Sequence, residues 1–175
     1  MLSVIIETRD NEIELTQTLS VLVAGAVEGL VSDVIVLDHA SRNAAGLVAD
    51  AAGARYCTDW DMAEIIRTAR GNWFLLLEAG ARPTGRWIDE IADHVAHAGS
   101  PARFSPSRHH RRPLLQRLLR RRPPLELGFL LPRGQAAATA RSEMPLADFV
   151  GGRGIGRLSS ELVPAWAATR RGAGA

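Results

Sequence analysis

Three short apolar runs in this chain each end on a carboxylate: Ser3-Val4-Ile5-Ile6-Glu7, Val34-Ile35-Val36-Leu37-Asp38 and Trp73-Phe74-Leu75-Leu76-Leu77-Glu78. Runs this rich in Val, Ile and Leu, with no polar alternation, need cover on both faces and read as buried strands of a parallel sheet. In open α/β sheets ligands bind outside the carboxyl ends of the strands. Acids at three strand ends therefore point to a polar ligand pocket along one rim.

The intervals between these runs carry helical signals. Asp10 or Asn11 can cap a helix that runs through Leu15, Leu19 and Leu22. Ser41 and Asn43 offer caps for a second helix to residue 52, followed by a short strand over 54–57. Asp59 or Asp61 opens the next helix, which passes Ile65 and Ile66 and stops at Gly71. Thr84 is expected to cap a helix through Trp87, Ile88, Ile91 and Val95. Repeated strand–helix–strand units imply right-handed crossovers and a doubly covered, mainly parallel sheet. Beyond residue 100 we expect a strand over 125–131, a helix over 135–141, a glycine-rich loop over 151–156, a last helix over 158–169 and a frayed end over 172–175.

Charge divides the chain. Residues 1–100 hold 7 Arg and 15 acids, whereas residues 101–175 hold 14 Arg and 4 acids. Lysine is absent throughout. The 175 residues are read as one domain, divided by this charge contrast into halves over 1–100 and 101–175. The single cysteine, Cys57, excludes an internal disulfide and a cysteine metal cluster. Apolar runs fall short of the roughly 18–20 residues of a membrane span, and Met1 leads directly into a strand, so a cytoplasmic protein without a signal peptide is expected. Residues 111–122 form an amphipathic pattern, with leucines at 114, 115, 118 and 119 opposite arginines. Such a helix can pack on the sheet or lie on an anionic membrane surface. Nucleic acid is not an expected partner, because aromatic platforms are missing there.

Residues 3–12 (Ser-Val-Ile-Ile-Glu-Thr-Arg-Asp-Asn-Glu), 34–41 (Val-Ile-Val-Leu-Asp-His-Ala-Ser) and 71–83 (Gly-Asn-Trp-Phe-Leu-Leu-Leu-Glu-Ala-Gly-Ala-Arg-Pro) together resemble a family 2 glycosyltransferase of the GT-A fold. The resemblance covers about residues 1–97 and thins beyond 100, where 128–133 and 145–149 are similar to the acceptor side of such enzymes. It implies a three-layer α/β fold with a shortened C-terminal half, residues 1–100 being the nucleotide-binding half and 101–175 the basic acceptor-side half, where 111–122 would meet a lipid-linked acceptor, and a nucleotide-diphospho-sugar lying across the strand ends. It implies that Glu7, Thr8 and Arg9 cradle the base, and that Asp38 matches the first acid of the family's Asp-Asp pair, with His39 at the second. Glu78 matches the first acid of the Asp-x-Asp motif and Gly80 stands at the second. A hard divalent cation wants several oxygen ligands. With glycine at 80 only Glu78 is left to bind Mg²⁺ or Mn²⁺, so no firm metal site is expected. Backbone N–H groups of residues 79–81, or Arg82 or Arg9, are the expected substitutes at the diphosphate. Asp148 is the expected acceptor base. The reading is a glycosyltransferase with weak or no metal dependence; the alternative is an inactive GT-A-like domain that binds a nucleotide or a protein partner. Nucleotidyltransferases fit less well, because residues 7–12 lack their glycine-rich loop.

Overall fold

The structure is a computed structural model that describes residues 1–110, 123–152 and 154–169. The amphipathic segment 111–122 lies outside the described residues. Eight strands form one sheet in the order β3-β2-β1-β4-β7-β6-β8-β5. The strands are β1 (Leu2–Thr8), β2 (Val31–Asp38), β3 (Arg55–Cys57), β4 (Trp73–Glu78), β5 (Arg82–Thr84), β6 (Ala102–Pro106), β7 (Phe129–Pro132) and β8 (Gly156–Val163). The first four are parallel neighbours, as the apolar runs require. β7 joins β4 antiparallel, and β8 runs parallel to β6 but antiparallel to β5. Strands from both halves of the chain thus share one sheet.

Side-chain alternation sorts the sheet into two apolar layers. Val4, Ile6, Val36, Leu75 and Leu77 face helices α1 (Glu12–Val27), α2 (Ala45–Ala51) and α4 (Trp87–His97), whose Leu15, Leu19, Ala45, Trp87 and Ile91 complete that layer. Ile5, Ile35, Leu37, Phe74 and Leu76 face α3 (Met62–Thr68) and α5 (Arg133–Thr139), with Met62, Ile65, Ala136, Leu146 and Phe149. Both faces are covered, which accounts for the unbroken apolar runs.

Arg133 joins the two halves chemically. Its guanidinium donates to the carbonyls of Gly71 (3.2 Å), Ile66 (3.0 Å) and Ala69, and lies over the Phe74 ring. It serves the end of α3, where unpaired carbonyls and the helix dipole favour a cation.

Three local expectations are corrected. The run 158–169 is not a helix: residues 156–163 form β8 and only Trp166–Thr169 is helical (α6). The alternation of buried Leu158, Ser160 and Leu162 with more exposed neighbours has the period of a strand. Thr84 does not cap α4; it lies in β5, and its hydroxyl donates to the Glu161 carbonyl at 3.1 Å. Residues 125–127 form a turn rather than a strand, and β7 begins after Gly128, whose φ is +60°.

Helix α4 is tied to β8 by Glu90, whose carboxylate accepts from the amides of Ser159 (2.5 Å) and Ser160 (2.7 Å). Burial would raise this carboxyl, but the bonds from Ser159 and Ser160 prevail and hold it below the ordinary 4.5. A depressed folded value means stability that is present above the ordinary glutamate range and lost as pH falls through the folded value. The thermal midpoint of wild type should therefore exceed that of Glu90→Gln at pH 6, with the gap closing on acidification below about pH 4.5. A gap that widens toward acid would contradict this linkage.

Candidate nucleotide-sugar site

The rim at the ends of β1, β2 and β3 is assembled by cross-bonded loops. Asp38 is buried, and its carboxylate accepts from the Ser41 amide at 2.8 Å and from the Ser41 hydroxyl. Burial would push this carboxyl up, but the Ser41 bonds and one from Tyr56 hold it below its ordinary value. Tyr56 is pushed up to about 12 by burial and by that same bond to Asp38. The Ser41 hydroxyl also receives the Asp10 amide at 2.8 Å, and the Asp10 carboxylate receives the Arg42 amide at 2.8 Å. Two non-glycine residues in these loops have positive φ, Asp10 (53°) and Ala40 (58°). Strained backbone of this kind persists only where surrounding bonds over-determine it. Here they fix the path on either side of His39.

A second wall comes from the C-terminal half. Asp61 caps α3 by accepting the Glu64 amide at 3.0 Å, and it also takes the Ser142 hydroxyl. The Ser142 carbonyl accepts the Met62 amide at 3.1 Å. Four residues on, Leu146 donates its amide to the Glu7 carboxylate at 2.8 Å. The stretch 143–145 is thereby pinned at both ends and faces the strand rim.

Between the walls lies a cavity of about 300 Å³ lined by Glu7, His39, Thr58, Asp59, Trp60, Glu143, Met144 and Pro145. His39 Nε2 is 3.8 Å from Glu7 Oε1, and the His39 ring meets Trp60 edge-on at 5.1 Å. A larger cavity of about 580 Å³ adjoins it, sharing Glu143 and Met144 and adding Ala138, Thr139, Arg141 and Asp148. Asp148 is exposed in the 3-10 turn Leu146–Phe149.

The expected site residues divide accordingly. Glu7 and His39 meet at the first cavity, and Asp148 stands in the second. Glu78 is the in-register neighbour of Glu7 on β4, so both carboxylates leave the same face of the sheet. Thr8 and Asp38 are register partners on the opposite face, away from Glu7. Thr8 is buried, with its hydroxyl unpaired. Arg9 is exposed beyond the end of β1.

The turn after β4 departs from expectation. Its three amides are all used internally: Ala79 donates to the Glu7 carbonyl (3.4 Å), Gly80 to the Thr18 hydroxyl (2.8 Å) and Ala81 to the Glu78 carbonyl (3.0 Å). They form no anion cradle. Gly80 is buried with φ +98°, and a Cβ there would stand 3.1 Å from the Ala165 carbonyl and from Ala168 Cβ. The position of the family's second acid is thus roofed by the residues around α6. Arg82 points to α1, where it donates to the Gln17 side chain. Among the described residues no group of three His, Cys, Asp or Glu side chains could hold a metal ion. Trp60, Glu143 and Met144 were not foreseen as site residues. Trp60 had a signal, an aromatic just past a short strand and flanked by two acids.

No family model and no curated protein sequence matches the chain. Solved structures do. Glucosyl-3-phosphoglycerate synthase from Mycobacterium tuberculosis, in complex with Mn²⁺, UDP and glucosyl-3-phosphoglycerate, superposes with a TM-score of 0.54 at 18% identity, over 77% of this chain and 57% of that one. Mannosyl-3-phosphoglycerate synthase from Rubrobacter xylanophilus gives 0.58 at 17% identity, over 77% and 54%. This chain therefore spans a little over half the length of the enzymes it matches. It has the GT-A fold, the three-layer α/β architecture of nucleotide-diphospho-sugar transferases. Among its described residues no helix is long and apolar enough to cross a membrane.

Proposed function

We propose that this protein is a glycosyltransferase that moves a sugar from a nucleotide-diphospho-sugar to an acceptor hydroxyl. The observation that carries the reading is the cavity at the strand ends of a GT-A sheet, walled by Glu7, His39 and Trp60 and sharing Glu143 and Met144 with the cavity that holds Asp148. Trp60 offers a ring face to the base, while Glu7 and His39 offer hydrogen-bonding groups to base or ribose. Arg9, exposed at the end of β1, supplies charge-assisted bonds to the diphosphate. Asp148 takes the proton of the acceptor hydroxyl as its oxygen bonds the anomeric carbon. The bond from that carbon to the diphosphate oxygen breaks, and the nucleoside diphosphate leaves with the electron pair. The Mn²⁺ and Mg²⁺ bound in the solved relatives find a poor donor set here, Glu78 without a second acid at position 80, and no step is routed through a metal.

The sealed turn around Gly80 favours a second reading, a nucleotide-binding GT-A domain without transfer activity. One panel separates the two. UDP, GDP, CDP and TDP and their sugars should raise the thermal midpoint for at least one base, a ligand at about 100 Kd adding about 2.7 kcal/mol. Trp60→Ala should abolish that shift. Asp148→Asn should keep the shift but lower the transfer rate about 10²- to 10⁴-fold. Absence of any nucleotide shift in wild type would refute both readings; a shift without transfer would select the second.

A further inference from the structure

The basic character of the C-terminal half is not used by the strand-end cavity, and part of it is concentrated on one patch of the sheet. Arg103 on β6 and Arg157 on β8 are register partners on parallel neighbouring strands. Strands in a sheet lie about 4.8 Å apart, so two like charges start from adjacent positions. Arg157 reaches across β6, its Nε donating to the Ser105 hydroxyl at 3.1 Å. Ser105 is two residues beyond Arg103, which puts it on the same face of β6. That hydroxyl is held in place by its own bond to the Leu158 carbonyl at 2.6 Å. Arg103 is positioned independently, with its guanidinium carbon 5.6 Å from the centre of the Phe129 ring.

Among the described residues neither guanidinium has a carboxylate partner. Arg103 Nε is buried and donates to nothing. Glu161, farther along β8, is occupied by Arg108, which bonds it through both its amide (2.9 Å) and its Nε (3.0 Å). Two oriented guanidinium groups, one resting on an aromatic ring and one on a fixed hydroxyl, thus leave neighbouring strands with no described carboxylate as partner. Adjacent arginines repel each other unless a shared counter-charge is present, and the planar fork suits tetrahedral oxyanions.

We propose that Arg103 and Arg157 form a binding site for a phosphate group, separate from the strand-end cavity. Phosphate, carrying up to two negative charges and several acceptor oxygens, matches a pair of neighbouring guanidinium groups. Such a group could come from a soluble phosphate ester or from a lipid headgroup, and one experiment distinguishes them. Inorganic phosphate is titrated calorimetrically into the full chain at ionic strength fixed with sodium chloride. In parallel the protein is sedimented with phosphatidylcholine vesicles with and without phosphatidic acid. Saturable phosphate binding is expected, weakened about tenfold or more in Arg157→Gln and unchanged in Arg70→Gln, an exposed arginine outside both sites. Arg157 is exposed, so its replacement should leave the thermal midpoint intact. Recruitment to phosphatidic acid vesicles that free phosphate competes away would assign the group to a headgroup. Phosphate binding without vesicle recruitment would assign it to a soluble ester. No saturable binding in wild type, equal binding by Arg157→Gln, or loss in Arg70→Gln instead would overturn the proposal.

Discussion

Gly71→Ala is expected to be among the most destabilising single changes in this protein, costing about 3 kcal/mol or more. A Cβ at this position would lie 2.3 Å from the Ser3 amide nitrogen and 2.7 Å from the Leu2 carbonyl carbon. Both atoms belong to the backbone of β1, which is held between β2 and β4 and cannot move aside. The closeness has a purpose. The Gly71 amide donates to the buried Ser3 hydroxyl at 2.7 Å, and Ser3 in turn donates to Asp33, which also accepts the Arg70 amide at 3.2 Å. The substitution therefore pushes on the central strand and breaks a buried hydrogen-bond relay together. For a chain of this size the loss should lower the thermal midpoint by roughly 6–12 °C. Gly99→Ala is the matched control, since nothing lies within 4 Å of its Cβ position. A Gly71→Ala midpoint as close to wild type as that of the control would refute the steric argument.

Gly80→Asp, which would complete the acid-x-acid spacing with Glu78, should not create a metal enzyme. We expect it to cost about 2–3 kcal/mol and to leave Mn²⁺ affinity unchanged. The backbone at φ +98° is one that L side chains rarely adopt, and the Cβ would crowd the Ala165 carbonyl, Ala168 and Glu14 at 3.1–3.2 Å. The new carboxylate would emerge beneath α6 rather than at the strand-end cavity. Thermal denaturation and calorimetric Mn²⁺ titration check both halves. Tighter Mn²⁺ binding at undiminished stability would show that the turn is open.

The strands and their carboxylate ends are legible because buried parallel strands leave a distinctive composition, and β1, β2 and β4 occur where the three apolar runs predict. What the acids do was less legible. Glu7 and Asp38 end adjacent strands and look equivalent in sequence, yet alternation sends Glu7 to the cavity and Asp38 to the opposite face, where Ser41 and Tyr56 consume its oxygens. Gly80 reads as a missing ligand, but its neighbours across the fold, Thr18 and Ala165, are 62 and 85 positions away and no local pattern announces them. The 143–145 wall is hidden for the same reason, whereas Trp60 carries a local signal in its flanking acids but none for the wall that it faces. The Asp61–Ser142 and Glu7–Leu146 bonds that bring them together link the two halves of the chain. The strand β8 reads as helix in sequence because its alternation is short and Ala165, Ala167 and Ala168 follow it.

The position of β8 bears on how the chain is made. It is the last strand in sequence but lies between β6 and β5, pairing Arg82 with Val163 and Ala102 with Gly156. A nascent chain that has emerged only as far as β7 exposes one open edge on β6 and leaves β5 with no strand to pair with. Both wait for residues 156–163, which follow every other strand of this sheet in the chain. Unpaired edges of this kind recruit other chains, and contacts so distant in sequence form slowly. Premature termination anywhere before β8 should therefore yield aggregating fragments rather than a smaller soluble domain.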